Sequence, residues 1–245
     1  MVLPFSRNPL FSSDELREDD AGIQKLRSHK DALFLAFFEY DPPITESSEL
    51  FWIPWDVVQL VCENPDGAIF LGLEDDHSPR FAIDIGKSLE HWENVSPHRF
   101  EPVRSVAAKL ADSQTSIVAQ ARSILKWIAD HRFCSRCGSG NSVLFGGYRL
   151  QCANMACGAL HFPRIDPVVI MMVVSRDNSK CLLGRSHDYP EKIIAPLAGF
   201  MEPGESIEVA AAREVYEESN VKITDINYIA SQPWPFPASL MIACQ

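Results

Sequence analysis

A chain of 245 residues, 46% hydrophobic and 22% charged, is long enough for one large or two modest domains with real cores. Its formal charge of −11 and pI near 5.1 repel polyanions; loose electrostatic binding to nucleic acid is not the default reading, and an anionic substrate would need a metal or local cations. The longest apolar runs, such as PVVIMMVV at 167–174, are far too short for a membrane span, so a soluble protein without a membrane partner is expected.

In chain order, the first residues are acidic and lack a basic stretch followed by a sustained apolar one, so no export or transit address is read there. Residues 32–38 (ALFLAFF), 68–73 (AIFLGL) and 80–85 (RFAIDI) are strand candidates separated by Pro, Gly and Asp turns. They suggest a sheet-containing α+β unit. From Val106 to Ile128, apolar residues at Leu110, Ile117, Ala121, Ile124 and Ile128 recur at helical spacing, giving one amphipathic helix or a pair. A packing role accounts for it.

Cys134, Cys137, Cys152 and Cys157 then read C-x2-C-x14-C-x4-C, two knuckles joined through a Gly146-Gly147 turn. This is zinc-ribbon spacing, and four thiolates leave no open position for a water, so the expected role of Zn2+ is structural. Four unrelated core thiols are the bland alternative. Nucleic-acid binding is a rival use of such a ribbon, to which Arg132, Arg136 and Arg149 lend a thin basic character. Seven cysteines, an odd count with four at ligand spacing, point to a reducing compartment.

After the cysteines, 167–174 begins a new strand-rich block, SRDNS at 175–179 turns into KCLLGR as a hairpin, and a loop leads to Gly199. Glu202-Pro203-Gly204 is a turn, Ser206 an N-cap, and Ile207, Ala211 and Val215 the apolar stripe of a helix. On its other face Glu214 and Glu218 lie one turn apart, with Glu217 beside them. Like charges at that spacing repel, whereas convergent carboxylates suit Mg2+ or Mn2+. An acidic face that is merely solvated is the competing reading. Farther on, prolines 233, 235 and 237 stiffen the chain around Trp234 and Phe236. Flat faces so presented suit a base or nicotinamide ring, although a Pro-rich turn tucking two aromatics into a core reads equally well.

Taken together, Gly199, Glu205, Arg213-Glu214, Glu217-Glu218 and Val221 reproduce the Nudix box, G-x5-E-x7-R-E-U-x-E-E-x-G-U with U aliphatic, except that Asn220 replaces its last glycine. Asparagine is the next most tolerant residue for a left-handed cap, so little damage is expected. With HRFCSRCG, FPRIDPVVIM and SQPWPFP, the chain from about residue 105 onward resembles the NADH pyrophosphatase family of Nudix hydrolases, also called NAD-capped RNA hydrolases.

That resemblance implies an α+β protein with an N-terminal α+β domain and connecting helix over 1–130, a zinc ribbon over 131–164 and a Nudix α/β/α sandwich over 165–245. It implies metal ligands at the backbone carbonyl of Ala198 and the carboxylates of Glu214 and Glu218, with Glu217 a further ligand or the base. Glu205 and Arg213 would orient loop and helix as an ion pair beside Gly199. Gln232, Pro233, Trp234, Pro235, Phe236, Pro237, Ala238 and Ser239 would line the dinucleotide site, joined by Phe162, where the family often has tyrosine. The implied reaction splits the diphosphate of NADH or NAD+ into the mononucleotide and AMP, with NAD-capped RNA as a further substrate and a homodimer as the assembly. The family continues beyond SQPWPFP, so the sandwich is expected to be incomplete at Gln245 and to lack a further acidic ligand. A catalytically inactive zinc-binding regulatory or dimerising form is the alternative this raises. Ala243-Cys244-Gln245 is no peroxisomal signal, and the expected setting is intracellular, cytoplasmic or peroxisomal.

Overall fold

The computed structural model describes residues 3–86, 89–185 and 192–245, and the chain divides into two compact units, 1–164 and 165–245. In chain order unit 1 holds α1 (Asp14–Glu18), α2 (Asp20–Arg27), β1 (Leu33–Phe37), β2 (Pro43–Ile44), β3 (Trp52–Ile53), α3 (Trp55–Val61), β4 (Ile69–Leu73), β5 (Pro79–Asp84), α4 (Leu89–Val95), β6 (Arg99–Phe100), α5 (Val103–Val106), α6 (Asp112–Asp130), β7 (Asn141–Leu144), β8 (Arg149–Cys152) and β9 (Leu160–His161). Unit 2 holds β10 (Asp166–Met171), β11 (Val173–Val174), β12 (Cys181–Leu182), β13 (Leu197–Phe200), α7 (Ile207–Ser219), β14 (Tyr228–Trp234) and β15 (Ser239–Cys244).

The three strand candidates of the first hundred residues form β1, β4 and β5, and their apolar runs are buried because the main sheet of unit 1 is covered on both faces. Its order is β3-β1-β5-β4, with β1 parallel to β5 and the outer pairs antiparallel. Phe34, Phe70, Phe81 and Trp92 anchor the core, with Phe34 stacked on Phe81 at 5.0 Å between ring centroids. The helical stretch read at 106–128 is a pair, the short α5 and the long α6, and α6 lies against β4 and β5.

The cysteine segment belongs to the same compact unit. Its sheet, β7-β8-β9, turns at Phe145–Gly147, and that turn packs on β4. Gly147, at φ +105°, is forced there. An added Cβ would lie 2.6 Å from Cγ2 of Ile69.

In unit 2 the sheet order is β13-β10-β15-β14, again with one parallel pair, β10 with β15, between antiparallel neighbours. The apolar run at 167–174 is divided between β10 and β11, and β11 pairs with β12 as the expected hairpin. Val169, Met171 and Leu197 pack against Ala210, Ala211 and Val215 of α7, so the helix's apolar stripe is its inward face. No helix among the described residues is long and apolar enough to cross a membrane.

Candidate active site and metal centre

The acidic helix α7 starts where its sequence says it should. Ser206 accepts a hydrogen bond from the Val209 amide at 3.4 Å. It ends at Asn220, left-handed at φ 57°, whose N–H donates to the Tyr216 carbonyl at 2.7 Å. Asparagine therefore performs the capping for which glycine is more usual.

Between β13 and α7, Arg213 organises the box. Its guanidinium grips Glu205 through two bonds of 2.7 and 2.8 Å, Nε to Oε1 and Nη2 to Oε2. It also donates to Oε1 of Glu214 at 2.8 Å, to Oε2 of Glu217 at 3.1 Å and to the Phe200 carbonyl at 2.9 Å. The expected ion pair is thus the centre of a larger network. Glu205 additionally accepts from the Glu202 amide at 2.9 Å, closing the turn before the helix. These bonds hold the Glu205 carboxyl down at about 2, with the Arg213 bond the largest cause.

Gly199 sits under the first of the catalytic candidates. A Cβ on Gly199 would fall 1.9–2.2 Å from the carboxylate atoms of Glu214. Only glycine lets that carboxylate lie on the strand backbone, next to Ala198. Side-chain exposure is 13% for Glu214 but 57% for Glu217. Desolvation first, and the charge of Glu214 second, push the Glu218 carboxyl up. Two carboxylates that repel one another supply the hard oxygen donors a divalent cation takes, and the carbonyl of Ala198, one residue before Gly199, is of the same donor type. Ala198, Glu214 and Glu218 fit such an ion in donor chemistry, and Arg213 steadies Glu214 as well as Glu217 through one oxygen of each. Among the described residues the three glutamates do not close into a cluster as tight as that of the cysteines.

The four cysteines do close. All four Sγ atoms lie within 4.8 Å of one another, with Cys134 3.9 Å from Cys157 and Cys137 3.4 Å from Cys152. A tetrahedron with Zn–S bonds of about 2.3 Å has edges of about 3.8 Å, so the spacing fits zinc. None of the cysteines is in a disulfide. Hydrogen bonds from Ser139 lower the Cys137 thiol to about 6, whereas burial pushes Cys152 up to about 12. Zinc takes its cysteine ligands as thiolates, so binding at this site releases protons.

The aromatic array forms the tip of the β14–β15 hairpin. Gln232, Pro233 and Trp234 end β14, Pro235, Phe236, Pro237 and Ala238 make the turn, and Ser239 opens β15 as a buried residue. Trp234 and Phe236 meet edge to face, 5.3 Å between centroids, and both are half-buried. The rings pack on each other yet keep exposed area. Phe162 belongs to unit 1. It is 61% exposed, and the Arg149 guanidinium lies 3.9 Å from the ring centroid of Phe145 and 5.8 Å from that of Phe162. Sequence reading missed that stack; the strand pairing of β8 with β9, which brings Arg149 and Phe162 together, was the signal.

Residues 165–240 match the family profile described as the NUDIX domain, and residues 5–127 match that of the NADH pyrophosphatase-like rudimentary NUDIX domain. The chain is 46% identical to the NAD-capped RNA hydrolase NUDT12 of Pongo abelii, over 98% of this chain and 61% of that protein. It is 39% identical to the NAD-capped RNA hydrolase of Schizosaccharomyces pombe, over 72% of this chain and 54% of the relative. With the NAD(P)H pyrophosphatase NUDT13, mitochondrial, of Mus musculus it shares 29% identity over 94% and 70% respectively. The chain therefore spans about three fifths of the NUDT12 relative's length.

Proposed function

This chain belongs to the Nudix hydrolase family, and we propose that it hydrolyses the diphosphate of NADH or NAD+ to the nicotinamide mononucleotide and AMP, and removes NAD caps from RNA. The observation that carries the proposal is the Glu214 carboxylate laid on Gly199 and tied to Arg213. Ala198, Glu214 and Glu218 would hold Mg2+ or Mn2+, which supplies charge neutralisation at the diphosphate and a water of lowered pKa. Arg213 holds Glu214 and Glu217 in place while Glu205 and the Phe200 carbonyl hold Arg213. Glu217, exposed at the rim, takes the proton of the attacking water or adds a ligand oxygen. The Gln232 to Ser239 tip offers ring faces to the dinucleotide.

Zn2+ at Cys134, Cys137, Cys152 and Cys157 serves the fold, since a four-thiolate site leaves no vacancy for chemistry. A homodimer in a cytoplasmic or peroxisomal setting belongs to the same reading, tested by sedimentation and by fractionation of the native protein. The direct test incubates the zinc-loaded chain with NADH and Mg2+ or Mn2+ and follows AMP by chromatography. Metal-dependent AMP that is lost in Glu214→Gln and Glu218→Gln supports the proposal; a folded, zinc-loaded chain that forms none refutes it for this chain.

A further inference from the structure

Charge in this molecule is distributed unevenly. The chain carries 33 acidic residues, yet residues 131–164 contain none of them and four of its arginines, Arg132, Arg136, Arg149 and Arg164. A zinc ion with four thiolates bears two negative charges of its own, which offsets only part of that local excess. The first knuckle presents Arg132 and Arg136 as exposed side chains around Phe133, itself 66% exposed. The second presents Met155, 97% exposed. Because their thiols converge on one centre, the two knuckles are neighbours. No carboxylate among the described residues is paired with Arg132 or Arg136.

Cations alternating with an exposed aromatic ring are what a single strand of nucleic acid needs, phosphates meeting guanidinium groups and a base meeting the ring face. An acidic peptide would use the arginines but leave Phe133 and Met155 without partners. We infer that the knuckle surface of Arg132, Phe133, Arg136 and Met155 binds the single-stranded RNA body downstream of the cap. The inference deepens the capped-RNA part of the function proposed above, and its binding step stands apart from the chemistry of α7.

The test measures binding of an uncapped, 5′-hydroxyl single-stranded RNA of about 20 nucleotides to the zinc-loaded chain by fluorescence anisotropy. Affinity is expected to fall steeply between roughly 50 and 200 mM salt. Arg132→Gln with Arg136→Gln should weaken binding about tenfold and flatten the salt slope, and Phe133→Ala should weaken it roughly fivefold or more. Zinc content and NADH hydrolysis should stay at the parent level in both. If either variant loses zinc, Met155→Glu on the second knuckle takes its place, with weaker binding expected. RNA binding that is absent, insensitive to salt or equal in all folded variants overturns the inference, as does equal affinity for polyglutamate. Failure of NADH cleavage with RNA binding intact would count against the proposed activity and not against this surface.

Discussion

The two units use one strand plan for different ends. In unit 1, β1, β3, α3, β4 and β5 follow one another in the chain and give the sheet β3-β1-β5-β4; in unit 2, β10, β13, α7, β14 and β15 give β13-β10-β15-β14. Corresponding pairs have the same direction, and the penultimate strand carries a register shift in each, between Phe70 and Gly72 and between Tyr228 and Ala230. Each helix packs on the first strand of its sheet, α3 on β1 and α7 on β10.

What separates them is the link and the helix. In unit 1 Pro54 alone joins β3 to a seven-residue α3, which ends before the eighth and twelfth helix positions that Glu214 and Glu218 occupy in α7. Unit 2 inserts 201–206 and lengthens the helix to 13 residues, gaining the Glu205 anchor and the room for a row of carboxylates. A Nudix-like sheet is therefore a scaffold, and the proposed metal chemistry would rest on the loop and helix mounted on it.

Substitutions that break this contrast should differ in size. Glu214→Gln should lower AMP formation from NADH roughly a thousandfold, whereas Asp56→Asn in α3 should leave turnover within about twofold, both by steady-state kinetics. Gly199→Ala should cost about a hundredfold in kcat, because the new methyl displaces a carboxylate. The clash falls on the end of a flexible side chain, so its melting temperature should barely move. Gly147→Ala in unit 1 should do the reverse. With φ at +105° and Ile69 in contact, it should destabilise by about 2–4 kcal/mol in denaturant unfolding.

A smaller effect concerns acid. The Glu205 carboxyl, ordinarily near 4.5, is held at about 2 in the folded chain. Its stabilising contribution is complete above the unfolded value and is lost as pH falls toward the folded one. Glu205→Gln should therefore flatten the acid limb of stability between those values, read from melting temperature against pH. Smallest of all, Asn220→Gly should change stability by less than about 0.5 kcal/mol and leave turnover alone, since both residues accept the left-handed cap.

Much of unit 2 was legible because its devices are local. Ser206 caps the helix it precedes, and Gly199 and Glu214 sit at fixed motif spacing; the four cysteines of unit 1 were legible for the same reason, their ligand spacing. The kinship of unit 1 was not legible. Its parallel pairing of β1 with β5 joins residues far apart in the chain, and two-residue β3 and seven-residue α3 are too short to show a period. The reach of Arg213 to Phe200, and the edge-to-face contact of Trp234 with Phe236, also depend on where strands and turns bring side chains.

The measurement that bears most directly on the division of labour is a Mn2+ titration of the zinc-loaded chain by electron paramagnetic resonance. A Mn2+ site that Glu214→Gln abolishes and Asp56→Asn preserves is the expected result. Unchanged Mn2+ binding in Glu214→Gln would contradict it.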